Sequence, residues 1–172
     1  MIKNIFLLCC MAASLFSCKQ PVTVAEATAD TAMIWKEVKL FMEEYHSLAE
    51  RSDFKGIAGL YDSTGNVFVN AEKNEYQSYD SIKAFYQTYK DSIRYFTWHE
   101  PFIIDVIKSD VATVAVTYSL LVSSVPDTMQ FNYSAVLVKR GPAWKLKQEN
   151  EMPQMATARK LLQLMEEAKK AK

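Results

Sequence analysis

The chain has 172 residues, 49% of them hydrophobic, and its 20 basic and 20 acidic side chains give a formal net charge of zero. The two signs are interspersed, so the chain lacks the basic patch that nucleic-acid-binding proteins use, and we expect no nucleic-acid partner. This length suits one ordinary domain with a sizeable core. With only four glycines, the sequence also shows no glycine-rich phosphate-binding loop.

The first 17 residues predict export. Lys3 precedes an apolar run over residues 5–16, which is too short to cross the roughly 30 Å hydrocarbon core of a bilayer as a helix. Residues 15–18 (LFSC) resemble a bacterial lipobox, in which a small residue precedes an obligatory cysteine. We therefore expect a signal peptide over residues 1–17 and a lipid-modified Cys18 that anchors the protein in the cell envelope. An ordinary secretory signal is the alternative. Lys19 and Gln20 replace the aspartate typical of inner-membrane retention, which favours the outer membrane.

The same prediction removes most of the cysteine chemistry. Cys9 and Cys10 leave with the signal peptide, and Cys18 carries the lipid. No cysteine is then left for an internal disulfide or a Cys-His zinc site. We expect neither a metal nor a cofactor.

Helical periodicity dominates the first half of the chain. Residues 18–30 lack apolar periodicity, which is typical of a tether. Residues 31–51 form one amphipathic helix, and a short second helix starts at Ser52 or Asp53. Asp62 is expected to accept backbone hydrogen bonds in the turn over residues 62–65. The inward face of the first helix is predicted to hold Ile34, Val38, Phe41, Tyr45 and Leu48.

The rest of the chain is mostly predicted strand. Residues 66–70 and 76–79 form a small hairpin, and a third helix follows from Asp80 to about Ile93. Hydrophobicity then alternates with period 2 over residues 96–107, 111–122, 129–140 and 143–150, with a turn after each of the first three. A lysine-rich helix over residues 156–172 ends the chain.

Several local motifs accompany this order of elements: residues 60–62 (LYD), 82–86 (IKAFY), 110–114 (DVATV) and 136–146 (VLVKRGPAWKL). The order and the motifs together resemble the nuclear transport factor 2-like (NTF2-like) or SnoaL-like superfamily, of the DUF4440 type. The resemblance implies a cone-shaped α+β domain over residues 31–155. Three helices would pack on a curved, mostly antiparallel sheet, with an extra C-terminal helix and a pocket at the open end.

Strand alternation assigns side chains to the two faces of this sheet. On the last strand it predicts that Gln148 and Asn150 point into the cone, whereas Glu149 and Glu151 face water. The predicted ligand-binding residues are Trp98, Tyr118, Phe131, Tyr133, Gln148 and Asn150.

None of these six groups is a carboxylate or an imidazole. Isomerases that the chain resembles need a carboxylate base near the end of the first strand, where Asn70 stands here. The period-2 register puts His99 and Asp105 on the convex face, and His46 lies on the flank of the first helix. The sequence thus predicts a pocket that binds a small apolar or amphipathic ligand without catalysis. An isomerase or dehydratase is the alternative, and a protein–protein assembly module is the second alternative.

The convex face of the sheet is predicted to carry apolar side chains at several positions that should be exposed to solvent. The resemblance implies homodimers across this sheet, and exposed apolar residues on one face favour a partner. The residues concerned are Ile103, Ile107, Val136 and Val138.

Overall fold

A computed structural model describes residues 29–69, 75–88 and 92–170 of the chain. The predicted signal peptide, the lipidated Cys18 and most of the tether lie outside these residues, as does Asn70. Within the described residues, no helix is both long and apolar enough to cross a membrane.

Two helices open the described chain, and they are amphipathic as the periodicity predicts. Helix α1 covers Ala29–Glu50, and its five predicted inward residues are all buried. Helix α2 covers Phe54–Gly59, and the Asp53 carboxylate caps it by accepting a hydrogen bond from the Gly56 backbone N–H at 2.8 Å. A side chain at Gly56 would come within 2.4 Å of Leu48, so this glycine allows α2 to pack closely on α1.

A six-stranded sheet wraps around the helices. The strands are β1 Asn66–Val69, β2 Glu75–Ser78, β3 Ile93–Lys108, β4 Val111–Val122, β5 Met129–Arg140 and β6 Ala143–Pro153. They lie in the order β2-β1-β6-β5-β4-β3, and all neighbours are antiparallel except β1 and β6, which are parallel. Helix α3, Tyr79–Thr88, follows the β1–β2 hairpin. The chain thus has the predicted α+β cone fold.

The predicted inner faces of three long strands are confirmed. Phe102, Val114 and Leu137 are buried, and their neighbours along each strand are more exposed. The register of β3 against β4 shifts between His99 and Ile103, around Pro101. On the outer face Ile103 and Ile107 are 70% and 53% exposed, which agrees with the predicted face but leaves the dimer a prediction.

Two element boundaries differ from the prediction. Ile93 begins β3 instead of ending the third helix, because its backbone pairs with Val122 across the sheet. Strand β6 continues to Pro153 instead of stopping at Asn150, because its last residues still pair with β5. The extension matters for the site, since it brings Glu151 into the sheet.

The last helix, α4, covers Met155–Lys170. Thr157 ties its first turn to the sheet by accepting a hydrogen bond from the Gln130 backbone N–H at 2.8 Å, and it is buried. Beyond this turn Leu162 and Met165 are exposed. The helix is therefore attached mainly by its N-terminal end.

Candidate functional site

The predicted face assignment of β6 is wrong beyond Leu146. Leu146 pairs with Leu137, but Gln148 pairs with Val136, so Lys147 is an extra residue in a β-bulge. The bulge reverses the alternation. Glu149 becomes 2% exposed on the inner face, whereas Gln148 moves to the outer face beside Val136.

The same reversal applies further along the strand. Asn150 pairs with Ser134, an exposed outer-face residue, and Glu151 pairs with the buried Tyr133. Glu151 is half-buried and points into the cone. The interior therefore holds two carboxyl groups where the sequence predicted two amides.

Glu149 is surrounded by tyrosine hydroxyls. Its Oε2 accepts a hydrogen bond from Tyr61, whose hydroxyl is 3.1 Å from the hydroxyl of Tyr86. Burial raises the pKa of Glu149, and the hydroxyls of Tyr61, Tyr133 and Tyr45 oppose that rise. Its Oε1 and the Tyr133 hydroxyl are both buried, and neither has a hydrogen bond of ordinary geometry within the described residues.

Glu151 lies closer to the opening of the cone. Burial and the neighbouring Glu149 raise the pKa of Glu151 to about 8, although hydrogen bonding from Tyr118 opposes the rise. Burial also raises the pKa values of Tyr118 and Tyr86 well above the usual range, so both phenols stay protonated near neutral pH. Glu151 is thus a carboxyl group that changes charge near neutrality beside phenols that donate hydrogen bonds.

A cavity of about 260 Å³ lies in front of Glu151. Small-molecule pockets commonly start near 300 Å³, so this cavity suits a ligand with few heavy atoms. Helices α1, α2 and α3 and strands β3, β4 and β6 all contribute to its wall. The lining residues are Tyr45, Ala49, Phe54, Ile57, Phe85, Tyr86, Ile93, Phe96, Tyr118, Leu120, Val122 and Glu151.

The four predicted aromatic ligand residues cluster together, but they differ in their access to the cavity. Tyr118 lines it, and Phe131 stacks on the Tyr118 ring with centroids 5.0 Å apart. Trp98 is buried and donates a hydrogen bond from Nε1 to the Met42 carbonyl at 3.2 Å. Tyr133 is buried behind the cavity, near Glu149.

The histidines lie outside this cluster. His99 is exposed on the outer face, as predicted, with Nε2 2.7 Å from the buried Ser119 Oγ. His46 is half-buried, and its Nε2 is 3.0 Å from the Phe96 carbonyl. Asp105 is exposed, also as predicted. No group of three or more metal-ligating side chains occurs among the residues that the structure describes.

Asp62 has the turn role that the sequence predicts, together with two cationic partners. It accepts hydrogen bonds from the Thr64 backbone N–H and hydroxyl at 3.0 and 2.7 Å. Arg140 donates to its Oδ2 at 2.8 Å, and Lys147 Nζ lies 3.2 Å from the same atom. Burial alone would raise the pKa of Asp62, but these hydrogen bonds hold it well below its usual range.

The two interior glutamates were missed because nothing in the residue types marks the bulge. In residues 145–151 (KLKQENE) the charged side chains occupy alternate positions, and a regular strand would place all of them on one face. The sequence does contain one signal: buried tyrosines need hydrogen-bond partners, and the strand alternation places Tyr118 and Tyr133 on the inner face. A carboxyl group facing them from the last strand would have satisfied that need.

Comparisons with known proteins agree on the fold. No family model matches the chain, and no curated protein matches it. A scytalone dehydratase candidate from Novosphingobium aromaticivorans is similar, with 16% identity, a TM-score of 0.57 and coverage of 73% of this chain and 87% of that one. An NTF2-like protein from Cytophaga hutchinsonii shows 17% identity and a TM-score of 0.56, over 69% and 98% of the two chains. A type 2 hexachlorocyclohexane dehydrochlorinase shows 9% identity and a TM-score of 0.51, over 72% and 87%.

Proposed function

We propose that the cavity binds a small, largely apolar molecule and that Glu151 transfers a proton to or from it. One observation carries this proposal: Glu151 lines an aromatic cavity, with Glu149 behind it and Tyr118 beside it. A general base works best when its pKa lies near the operating pH. Burial and the second carboxyl group bring the pKa of Glu151 into that range.

This proposal replaces binding without catalysis, the function that the sequence favoured. That prediction depended on an interior without a titratable group. Two carboxyl groups lie in the interior, so the reason for it no longer holds. The alternative predicted from the sequence, an isomerase or dehydratase, needs a titratable group in the pocket, and the interior carboxyl groups supply one.

The chain's own residues suggest how the proton would move. In its ionised form Glu151 would take a proton from a carbon next to an electron-withdrawing group. Tyr86, which also lines the cavity, would then donate a hydrogen bond to the oxygen that gains negative charge. Glu149 is not among the lining residues, so it acts as a positioning residue that keeps the Glu151 pKa high.

Two of the similar structures support this class of chemistry. Their names describe a dehydratase candidate and a dehydrochlorinase, and both names denote eliminations. An elimination can begin when a base removes a proton from carbon.

The test is solvent deuterium exchange into a panel of small enolisable ketones, followed by NMR. The wild-type chain should exchange the α-proton with a rate that rises with pH and levels off above about pH 8, where Glu151 is ionised. Glu151→Gln should lower the exchange rate at least about 100-fold, which is the low end of the rate enhancement that a general base supplies. Glu166→Gln, a change at an exposed position on α4, should behave as wild type. Exchange that survives Glu151→Gln would refute the role of Glu151, and binding of the ketones without exchange would restore the purely binding function.

A further inference from the structure

A second cavity, of about 470 Å³, opens on the outer face of the sheet. It lies at a bulge in β3, where residues 100–102 separate His99 from Ile103, whereas a single residue separates the partners of these two on β4. Its volume falls within the range of small-molecule pockets, which starts at about 300 Å³. The lining residues are His99, Glu100, Pro101, Ile103, Ala115, Val116, Thr117, Asn132 and Tyr133.

Three polar side chains of this lining form one row across the sheet. His99 on β3 pairs with Thr117 on β4, which pairs with Asn132 on β5. Neighbouring strands lie about 4.8 Å apart, so the three groups follow each other at regular intervals. His99 Nε2 is 2.7 Å from Ser119 Oγ, which leaves Nδ1 for a ligand. Among the residues that the structure describes, neither Thr117 nor Asn132 has a side-chain hydrogen-bond partner.

Charge and apolar surface narrow the class of ligand. The carboxylate of the lining, Glu100, has its Oε1 3.0 Å from Lys39 Nζ on α1, so the protein itself balances this charge. Pro101, Ile103 and Ala115 add apolar surface to the lining, and Ile103 is 70% exposed. The cavity therefore suits an uncharged ligand that carries several hydroxyl groups and one apolar side.

We propose that this outer-face cavity binds a neutral saccharide. The hydroxyl groups of a sugar ring both donate and accept hydrogen bonds, which matches the row of imidazole, hydroxyl and amide groups. The C–H face of the ring would cover Ile103. An extended peptide fits less well, although β3 is an edge strand. Strand addition needs an uninterrupted row of backbone groups, whereas the register of β3 shifts here and Pro101 lacks an N–H.

The saccharide site is independent of the proton transfer proposed above, because Glu151 points to the other face of the sheet. It is also separable from the predicted homodimer. Val138 pairs with Val111, six residues along β4 from Thr117, which is a distance of about 20 Å. Ile103 belongs to both surfaces, so the saccharide should bind the Val138→Lys variant at least as tightly as it binds wild type.

An NMR titration of the ¹⁵N-labelled full chain tests the proposal. The probes are the methyl glycosides of glucose, galactose, mannose and N-acetylglucosamine, at up to about 50 mM, and cyclohexanol, a ring of similar size with a single hydroxyl. At least one glycoside should bind with a Kd of about 10 mM or lower and shift the amide resonances of residues 99–103, 115–117 and 132–133. Cyclohexanol should leave these resonances unchanged.

Two pairs of variants identify the groups that bind. Thr117→Val removes a hydroxyl at nearly constant volume, and Asn132→Ala removes the amide. Each should weaken binding of the glycoside at least about fivefold, as expected for a lost hydrogen bond. Thr113→Val and Asn150→Ala are the matched controls, because both residues are half-buried on the outer face and neither lines the cavity. They should bind as wild type.

Three results would overturn the proposal. The first is that no glycoside shifts the resonances of the lining at about 50 mM. The second is that cyclohexanol shifts them as strongly as the glycosides do, which would show that hydroxyl groups are not recognised. The third is that Thr117→Val and Asn132→Ala bind as tightly as their controls do.

Discussion

At the scale of single residues, the two interior glutamates differ in role although they stand two positions apart on one strand. Glu149 is almost fully enclosed and receives a hydrogen bond from Tyr61, whereas Glu151 reaches the cavity. Burial raises the pKa of both. A rise of one pKa unit corresponds to about 1.4 kcal/mol in favour of the protonated form. The pair therefore makes the stability of the fold sensitive to pH.

The sign of that dependence follows from proton binding. Between its ordinary pKa of 4.5 and about 8, Glu151 holds more proton in the folded than in the unfolded chain. The free energy of unfolding should therefore fall as pH rises through this window. In Glu151→Gln the free energy of unfolding should fall less between pH 5.5 and 8.5, as measured by urea denaturation at the two pH values. An unchanged pH dependence in the variant would show that Glu151 ionises as freely in the fold as in the unfolded chain.

Asp62 is the opposite case, a buried carboxylate with cationic partners. Its pKa is held below the usual value near 3.8, so its contribution is present above that value and is lost as pH falls below it. Asp62→Asn should cost about 1–3 kcal/mol at pH 7, because hydrogen bonds to a charged group are lost. Asp127→Asn, which breaks the exposed ion pair with Lys160, should cost no more than about 1 kcal/mol. If urea denaturation shows that the two variants lose equal free energy of unfolding, the Asp62 cluster stabilises the fold no more than an exposed ion pair does.

At the scale of elements, hydrophobic periodicity correctly predicts the buried faces of the regular helices and strands. The inward face of α1 and the inner faces of β3, β4 and β5 follow directly from spacing, because each element is regular over those stretches. Strand β6 is different. A bulge at Lys147 inserts one residue, and every side chain after it changes face.

The cause of the bulge lies in other elements, which explains why the sequence did not reveal it. Lys147 Nζ bonds to the Thr64 carbonyl at 3.0 Å and lies near Asp62 in the turn before β1. Strand β1 then pairs in parallel with β6 just beyond the bulge, through Phe68 and Gln148. The phase of β6 is thus set by contacts with residues about 80 positions earlier in the chain. The hydrophobic pattern of β6 alone does not indicate these contacts.

At the scale of the whole molecule, α1 runs from the region of the β5–β6 turn to the cavity. Glu37, in its first half, receives hydrogen bonds from Lys139 and Trp144 near the β5–β6 turn, and Tyr45 and Ala49 in its second half line the cavity. With a rise of about 1.5 Å per residue the helix is about 33 Å long. An anchor attached before α1 would therefore hold the cone by the end away from its cavity.

That anchor stays a prediction. Cys18→Ala should release the folded chain into the soluble fraction after cell fractionation, because two or three acyl chains, at about 0.8 kcal/mol per CH₂, would be lost. A variant that remains with the membrane would show a second attachment or a retained apolar segment over residues 5–16. Circular dichroism of the released chain checks that the domain has folded.

The homodimer across the outer sheet face is also still a prediction. Exposed Ile103 and Ile107 lie on this face, with half-buried Val136 and Val138 on a neighbouring part of it. If a second copy covers them, Val138→Lys should shift sedimentation from dimer to monomer, because the lysine would place a charge in an apolar contact. A wild-type chain that sediments as a monomer at micromolar concentration would contradict the predicted dimer.

The proposed function depends most directly on a cavity carboxyl group that exchanges its proton near neutral pH. Selective ¹³C labelling of glutamate side chains allows each carboxyl carbon to be titrated by NMR, and the resonance missing from Glu151→Gln identifies Glu151. We expect that resonance to titrate with a midpoint near 8. A midpoint near the ordinary value of 4.5 would contradict both the enclosed carboxyl pair and the proton transfer proposed for it.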